Sequence, residues 1–481
     1  MSCISPDPAN TVTDRLNQLL STGGNGYVLS LCPGLQYLIT KPILFAAPNQ
    51  EISTQGYPTG NDRATLVVNG PVSNGTGHTN AVDGTCTNCS GVKLRNIQIN
   101  GTRAGAPPTQ GGANIEMGGG NSGQLIEYVH SYDPRSWSCL HVAEGPLTCS
   151  GVVIQNNDIG PCGSDAFQEW ADGISLSCSN SIVQNNTISD PTDGGIVIFG
   201  SPGSLIQNNT VIVQNATCLG GINLVDYEPW LGNYTNTIVR DNYIYGGFAT
   251  DTQDASTDTK GTNKEDAIIK IGIAVGPRTW FGNQYLQNVS SSGTVLSNHL
   301  SGAFGYAIAI TSARNFTIQN NVLFGNTSFI GSRGPNCTTF DTTPTPQPFV
   351  VDYNNTSGLS LQSNFQQVPD GESLTCILPP DSGDYWPFGG NPGGSNTTSG
   401  GGGGNSTPNN SGGGGGNDGL SAGAKAGIAL GVILGVALIA VATHFIRKAA
   451  LNRQQHAGGA RRLQSRDGDT WEGKGTTYPS P

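Results

Sequence analysis

Short runs of alternating apolar and polar residues recur along the chain, separated by turns rich in Gly and Asn. Six runs align around a shared Asn at positions 157, 186, 209, 242, 298 and 321: VVIQNNDI, SIVQNNTI, SLIQNNTV, TIVRDNYI, TVLSNHL and FTIQNNVL. Most are followed by a second apolar run: GISLSC, GIVIFG, GINLVD, IIKIGI and AIAITS. Alternation with a period of two predicts short strands that bury one face.

A repeat made of such strands predicts a parallel β-solenoid, in which each strand pairs with its equivalent about 4.8 Å away in the next coil. Inward Ile, Val and Leu would form the core. Over roughly residues 10–380 the pattern resembles the right-handed parallel β-helix of pectin-lyase-like proteins. The resemblance implies an all-β fold. The amphipathic residues 11–20 predict a short N-terminal helix that caps the first coil.

The pattern stops near residue 384, which predicts a β-helix ectodomain over 1–384. Residues 385–425 are mostly Gly, Asn and Ser and predict a flexible linker. Residues 426–446 (AGIALGVILGVALIAVATHFI) carry no formal charge and are long enough for one C-terminal transmembrane helix. Basic residues follow this span, so residues 447–481 are expected to form a short cytosolic tail.

Charge and cysteine usage support a location outside the cell for the ectodomain. The chain has 22 Lys plus Arg against 33 Asp plus Glu, so a nucleic-acid partner is not expected. All 11 Cys precede the predicted span, and Asn-x-Ser/Thr glycosylation sequons are frequent. The first twenty residues do not resemble a signal peptide. Either the start is misassigned or the export signal is missing from this sequence.

The repeated Asn and most Cys favour structural roles. Stacked Asn amides can bridge successive coils and satisfy backbone groups. Cys86 and Cys89 are expected to form a local disulfide, and an odd Cys total leaves at least one thiol unpaired within the chain.

Candidate chemistry comes from superimposing the second strand of each coil. The alignment places one outward-facing row of residues in register, with apolar neighbours on both sides. The row is expected to form a polar groove and consists of Glu116, His141, Ser175, Val197, Asn223, Lys270 and Ala309.

Carboxylates cluster around this row and predict the catalytic groups. Asp172 and Asp193 open strands of adjacent coils one residue apart in alignment, and Asp226 follows one coil later. Two close carboxylates supply one proton donor and one base. Asp before Gly is also ordinary turn chemistry, which is the competing interpretation. The full candidate catalytic set is Asp172, Asp193, Asp226, Glu144, His141 and Lys270.

Substrate contacts are expected from aromatic, cationic and polar side chains near the row. Arg135 and Arg278 could bind uronate carboxylates, and Trp residues could stack on sugar rings. The candidate substrate-binding set is Glu116, Arg135, Asn223, Trp170, Trp230 and Arg278. No metal site or cofactor is predicted. The acidic insertion around Asp251, Asp254 and Asp258 could bind calcium loosely, but it matches no calcium motif, which favours a solvated loop.

The sequence leaves several functions open. Motifs typical of polygalacturonases and pectate lyases are absent. The stretch WADGISLSC…TDGGIVIFGSPGS and the single span resemble membrane-anchored β-helix proteins of filamentous fungi, a resemblance that brings no assigned reaction. The first hypothesis is a membrane-tethered enzyme that acts on a polysaccharide, by hydrolysis rather than by elimination. The alternatives are a glycan-binding module without catalysis and a structural surface protein.

Overall fold

The computed structural model describes residues 2–73, 76–164, 166, 169–248, 267–282, 288–332, 346–371 and 374–375. Strands in these residues stack coil upon coil in parallel register, which confirms the predicted all-β parallel solenoid. The predicted linker, transmembrane helix and tail lie outside the described residues. Within the described ranges, no helix has both the length and the apolar character required to span a membrane.

The strands, numbered in chain order, form three faces that run along the solenoid. The first face is an 11-stranded sheet. It contains β1 (Val28–Leu31), β4 (Glu51–Thr54), β9 (Lys93–Arg95), β12 (Leu125–Glu127), β15 (Val153–Gln155), β18 (Ile182–Gln184), β21 (Leu205–Gln207), β24 (Ile238–Arg240), β28 (Thr294–Leu296), β31 (Thr317–Gln319) and β35 (Ser360–Leu361).

The second and third faces form one 20-stranded sheet, because the long strand β29 (His299–Ile310) pairs in both. The second face also contains β2 (Gln36–Ile39), β5 (Ala64–Val68), β10 (Ile97–Asn100), β13 (His130–Tyr132), β16 (Asp158–Ile159), β19 (Thr187–Ser189), β22 (Thr210–Ile212), β25 (Tyr243–Tyr245) and β32 (Val322–Phe329). The third face also contains β3 (Ile43–Leu44), β8 (Val82–Asp83), β11 (Ile115–Gly118), β14 (Ser138–Ala143), β17 (Asp172–Leu176), β20 (Gly194–Ile198), β23 (Thr217–Leu224), β26 (Ile268–Val275), β33 (Phe349–Val351) and β36 (Gln366–Gln367).

Smaller elements decorate the coils. β27 (Ser290–Ser291), β30 (Ala313–Arg314) and β34 (Thr356–Ser357) form a three-stranded sheet, and β6 (Val72–Ser73) pairs antiparallel with β7 (Thr76–Gly77). A second helix, α2, spans Arg278–Phe281, and a 3-10 turn spans Tyr353–Asn355.

The predicted capping helix is present as α1 (Val12–Gly23), preceded by a 3-10 turn over Ala9–Thr11. Its apolar stripe, Val12, Leu16 and Leu20, is fully buried against the first coil. The helix therefore covers the apolar end of the solenoid, which would otherwise face water.

The core is built from apolar side chains that repeat once per coil. On the first face, Ile154, Val183, Ile206, Val239 and Val295 follow one another in strand register, and all are fully buried. Because a parallel coil places like residues above like, one inward position per strand is enough to create a continuous apolar stack.

The repeated Asn residues form a buried ladder, as predicted. Each side-chain Nδ2 donates to a backbone carbonyl of the preceding coil and, except at the last ladder Asn, to the Oδ1 of the next ladder Asn at 2.8–3.0 Å. The Nδ2 of the last one, Asn321, lies 3.4 Å from Gln362 Oε1. The ladder runs through Asn157, Asn186, Asn209, Asn242, Asn298 and Asn321. Each Oδ1 also accepts the backbone N–H of the preceding ladder residue or, for Asn157, of Val129.

A sharp bend precedes each ladder residue, at the corner between the first and second faces. The preceding residue has a positive φ of 54–60° at every coil. This left-handed conformation is least costly for Asn and Asp among residues with a side chain, and five of the six positions are Asn or Asp. These bend residues are Asn156, Asn185, Asn208, Asp241, Ser297 and Asn320.

The described residues contain four disulfides: Cys3–Cys32, Cys86–Cys89, Cys139–Cys162 and Cys149–Cys178. The expected Cys86–Cys89 pair is confirmed. Among the described residues Cys218 is a free, buried thiol, and two further cysteines lie outside these residues.

Loss of one Asn side chain from the ladder should destabilise the fold strongly. In Asn209→Ala, several buried backbone and side-chain groups lose partners, so the free energy of unfolding should fall by about 2–3 kcal/mol. The matched control is Gln207→Ala in the same coil, where the half-buried Gln207 side chain bonds to Gln184 and Arg240, and it should cost less than about 1 kcal/mol. Denaturant unfolding of both variants measures the difference; equal costs would contradict the structural role of the ladder.

Candidate functional site

The predicted outward row exists on the third face. Strand register aligns Glu116 with His141, then Ser175, Val197 and Asn223, as the sequence predicted. The prediction is wrong for Lys270, because the residue opposite Asn223 is Ala274, four positions later, and Ala274 in turn pairs with Ala309. The insertion before β26 breaks the coil spacing, and IIKIGIAV alternates equally well in more than one register.

The row is not the open groove that alternation predicted. Its polar members are almost fully buried: His141, Ser175 and Asn223 are at most 1% exposed. Side chains from flanking loops cover them. The Trp137 ring packs edge-on against His141, with centroids 4.9 Å apart, and Trp280 of α2 lies over Gly220 beside Asn223.

A second outward row runs beside the first, three residues earlier in each coil. It contains Ser138, Asp172, Gly194 and Gly220. The rows are neighbours because the chain turns a corner between them: Gly173, the residue after Asp172, faces inward, where an added methyl group would meet the core residue Ile188. Two consecutive glycines of the second row leave room for the larger side chains around them.

Asp172 is the centre of a buried hydrogen-bond chain. Its Oδ1 accepts the N–H of Gly194 at 2.9 Å, and its Oδ2 lies 2.8 Å from Ser175 Oγ. Ser175 Oγ is 2.9 Å from Ser138 Oγ, which lies 3.0 Å from the carbonyl oxygen of Leu140.

The serine hydroxyl groups continue this network. Ser175 donates to Asp172 Oδ2, and Ser138 Oγ lies within hydrogen-bond distance of both Ser175 Oγ and the Leu140 carbonyl oxygen. The hydrogen bonds from Ser175 and from the Gly194 N–H favour the ionised form of Asp172, so they lower its pKa.

Burial and like charge outweigh these hydrogen bonds and favour the neutral form of Asp172. Burial raises the pKa of Asp172 well above its usual range, and the nearby charge of Asp193 raises it further. Burial and the charge of Asp193 likewise raise the pKa of Asp226 well above its usual range. Asp193 and Asp226 are half-buried and more accessible than Asp172, which is 5% exposed. The structure thus brings the three predicted carboxylates together around Asp193.

Asn223 lies beside Asp172 in this group of carboxylates. A methyl group added to Gly194 would lie 2.8 Å from Asn223 Nδ2 and 3.2 Å from Asp172 Oδ1, so both side chains converge above that glycine. Asn223 Oδ1 is buried and has no hydrogen-bond partner among the described residues.

His141 has a different partner from the one that sequence proximity suggests. Its Nδ1 lies 2.7 Å from Glu116 Oε2, across to the preceding coil, whereas Glu144 follows the end of β14. Ser175 bonds to Asp172 and Ser138 and not to His141, so the described residues form no Ser–His–Glu triad. His141 and Glu116 instead extend the buried polar row.

The predicted substrate-binding cations have structural partners. The Arg135 guanidinium donates to the carbonyl oxygens of Gly70, His78 and Val68 and to Thr102. Arg278 contacts Asp352 at 3.4 Å and Asp370 at 3.2 Å.

The predicted aromatic contacts are largely covered. Trp170 is 1% exposed and belongs to an apolar cluster with Leu219 and Trp280. Trp230 is half-buried, and its Nε1 donates to the Ser177 carbonyl at 2.7 Å. Neither indole offers a fully exposed face for a sugar ring.

Two contributors to the site were missed from the sequence. Ser138 aligns with Asp172 in register, a signal that a two-row alignment of SWSCLH with WADGIS would have revealed. Trp280 lies in α2, outside the repeat, and no periodic signal marks it. Among the described residues, no group of three His, Cys, Asp or Glu is placed to hold a metal ion. The acidic insertion lies outside these residues.

Comparisons with known proteins concern the fold. Residues 85–264 match a family model for a right-handed β-helix region. No curated protein matches the sequence. Each solved structure below is 12% identical to this chain.

DFA-IIIase from Arthrobacter chlorophenolicus A6, crystallised without its lid, has a TM-score of 0.45 and matches 78% of this chain and 96% of its own. Endo-xylogalacturonan hydrolase from Aspergillus tubingensis has a TM-score of 0.44, and the match covers 78% of this chain and 98% of the hydrolase. The Streptococcus pneumoniae surface protein and adhesin PfbA has a TM-score of 0.42, and the match covers 76% of this chain and 97% of PfbA. The described part of this chain is therefore a parallel β-helix of stacked coils, within which residues 85–264 match the right-handed β-helix model.

Proposed function

We propose that this β-helix hydrolyses a polysaccharide, with Asp172 as proton donor and Asp193 as base or nucleophile. The observation that carries the proposal is the position of Asp172, a buried carboxyl group beside the half-buried Asp193, where burial and the charge of Asp193 raise its pKa well above its usual range. A neutral carboxylic acid beside a second carboxylate is the pair that glycoside hydrolysis requires.

The chemistry follows from the two charge states. Asp172 gives its proton to the glycosidic oxygen as the bond to the anomeric carbon breaks. Asp193 either activates the attacking water or attacks the anomeric carbon itself, and water completes the reaction in both cases. Asp226, whose pKa is raised by burial and by the charge of Asp193, holds a second proton near the same substrate. Elimination would need a basic residue near the abstracted proton. Lys270, the candidate for that role, lies off the row, so hydrolysis ranks above elimination.

The location of the protein is part of the proposal. Residues 426–446 form an uncharged apolar run followed by basic residues, which supports a single span with the β-helix outside the cell. Four disulfides in the described residues support an oxidising compartment.

Deleting residues 426–446 should release the protein. We expect the full chain in the membrane fraction and the deletion variant in the soluble secreted fraction, when both carry the same added signal peptide. Replacing residues 404–424 with Gly and Ser is the matched control and should leave the protein membrane-bound. Release of the control, or retention of the deletion variant, would contradict a membrane span at this position.

Loss of either main carboxylate should abolish hydrolysis. The full-length protein is incubated with fungal and plant wall polysaccharides, and new reducing ends are measured. Asp172→Asn and Asp193→Asn should each lower the rate by about a hundredfold or more, because proton transfer and nucleophilic assistance are lost. Asp241→Asn, at a half-exposed bend residue on another face, should leave the rate unchanged.

Other outcomes distinguish the alternatives. Unsaturated products that survive both substitutions would contradict hydrolysis and favour elimination. A folded protein that forms no product but is retained on one glycan would favour a binding module.

Asp172→Asn should also stabilise the fold at neutral pH. The asparagine Nδ2 can donate to Ser175 and its Oδ1 can accept from Gly194, as neutral Asp172 can. A raised pKa in the folded state gives stability that is present below the unfolded value of about 3.9 and is lost as pH rises through the folded value. The stability gain of Asp172→Asn should therefore grow as pH rises above about 4.

Denaturant unfolding at several pH values measures this gain. Asp241→Asn is again the control, and its difference from the unsubstituted protein should be small throughout. A gain that shrinks as pH rises would contradict a neutral Asp172.

A further inference from the structure

The corner between the first and second faces carries two exposed Asn residues in glycosylation sequons. The bend residues Asn185 and Asn208 lie in neighbouring coils, and each is followed two positions later by a Thr, Thr187 or Thr210. Asn-x-Thr is the sequence to which N-linked glycans are attached in secreted proteins. Because such sequons are frequent in this chain, the fold must decide whether these two can carry sugars.

The fold gives opposite environments to the consecutive Asn residues of each sequon. Asn186 and Asn209, the middle residues, are at most 1% exposed and bond within the ladder. Asn185 and Asn208 are exposed at the bend, where φ is 56° and 54°. Neither of these two side-chain amides bonds to another described residue. A sugar on Nδ2 would therefore break no contact in the described part of the chain.

Strand register places the two exposed amides side by side. Gln184 pairs with Gln207 before the bend, and Thr187 pairs with Thr210 after it, so the two bends stack one coil apart, about 4.8 Å. The first face lies on one side of this corner and the second face on the other. The third face, which carries the candidate site, does not border it. Glycans at this corner would leave the candidate site uncovered.

We infer that Asn185 and Asn208 carry N-linked glycans, which form a paired glycan patch at this corner. In the transfer, the amide Nδ2 forms a bond to the anomeric carbon of a lipid-linked oligosaccharide donor. The bond from that carbon to the pyrophosphate oxygen of the donor breaks, and Nδ2 gives up one proton. The inference rests on the extracellular location proposed above and does not depend on hydrolysis.

The same row of bend residues contains two natural controls. Asn156 and Asn320 occupy equivalent bends, with φ of 57° and 60°, but Asp158 and Val322 stand where the sequon requires a hydroxyl residue. Val322 is 43% exposed and lies on the second face in the same row as Thr210. Val322→Thr therefore creates a sequon at an equivalent exposed bend.

The experiment maps the glycans on the full-length protein, produced with an added signal peptide in a eukaryotic host that attaches N-linked glycans. Chymotrypsin cleavage after Phe199 separates the two sequons. An amidase in heavy-oxygen water then converts each glycosylated Asn to labelled Asp, which mass spectrometry locates. Label is expected at Asn185 and Asn208, and not at Asn156 or Asn320.

Variants test whether the label follows the sequon. Thr187→Val should remove the label from Asn185 alone, whereas Thr187→Ser should keep it. Val322→Thr should add a label at Asn320, and its absence would count against the accessibility of these bends. A label at Asn185 that survives Thr187→Val would arise from chemical deamidation and would overturn the assignment.

The outcomes separate this inference from the proposals on which it builds. Unlabelled Asn185 and Asn208 in a folded protein would overturn the inference. The proposed location would still be decided by the deletion of residues 426–446, because the added signal peptide supplies export in both experiments. The double variant Thr187→Val, Thr210→Val should hydrolyse polysaccharide at the unsubstituted rate. A lower rate from a folded variant would contradict the placement of the glycans away from the candidate site.

Discussion

The stacking of identical coil positions is the constraint on which the rest of this structure depends. The Asn ladder enforces it, since each rung bonds to the next rung and to the backbone of the preceding coil. A shift in register at this corner would leave several buried polar groups without partners. The ladder therefore fixes the register of the coils from Asn157 to Asn321. These coils contain the third-face strands that position Asp172, Asp193 and Asn223.

The candidate site uses this regularity and also departs from it. Regular stacking places Ser138, Asp172 and two glycines in one row, and His141, Ser175 and Asn223 in the row beside it. The glycines leave the space into which the larger side chains converge. The corner at Gly173 turns both rows outward, so groups three residues apart in sequence become neighbours on one surface.

Burial of carboxylates here works against stability. The folded state raises the pKa of Asp172 and Asp226, which means that their ionised forms are unfavourable in it. A ladder, a capping helix and four disulfides supply the rigidity that holds such groups in place. Charged groups kept at a cost to folding are typical of sites whose chemistry needs a shifted pKa.

The sequence by itself determined the repeat, the ladder, the capping helix and most of the outward row. In a solenoid, a regular sequence repeat places equivalent residues opposite each other in adjacent coils. Asp172, Asp193 and Asp226 could be grouped for the same reason. Only the tertiary structure decided the pairing of β26, the partner of His141 and the cover of the row by Trp137 and Trp280. These depend on an insertion of irregular length, on contacts between coils and on loops outside the repeat. Periodicity specifies position along a coil, whereas burial and hydrogen bonding depend on what packs across it.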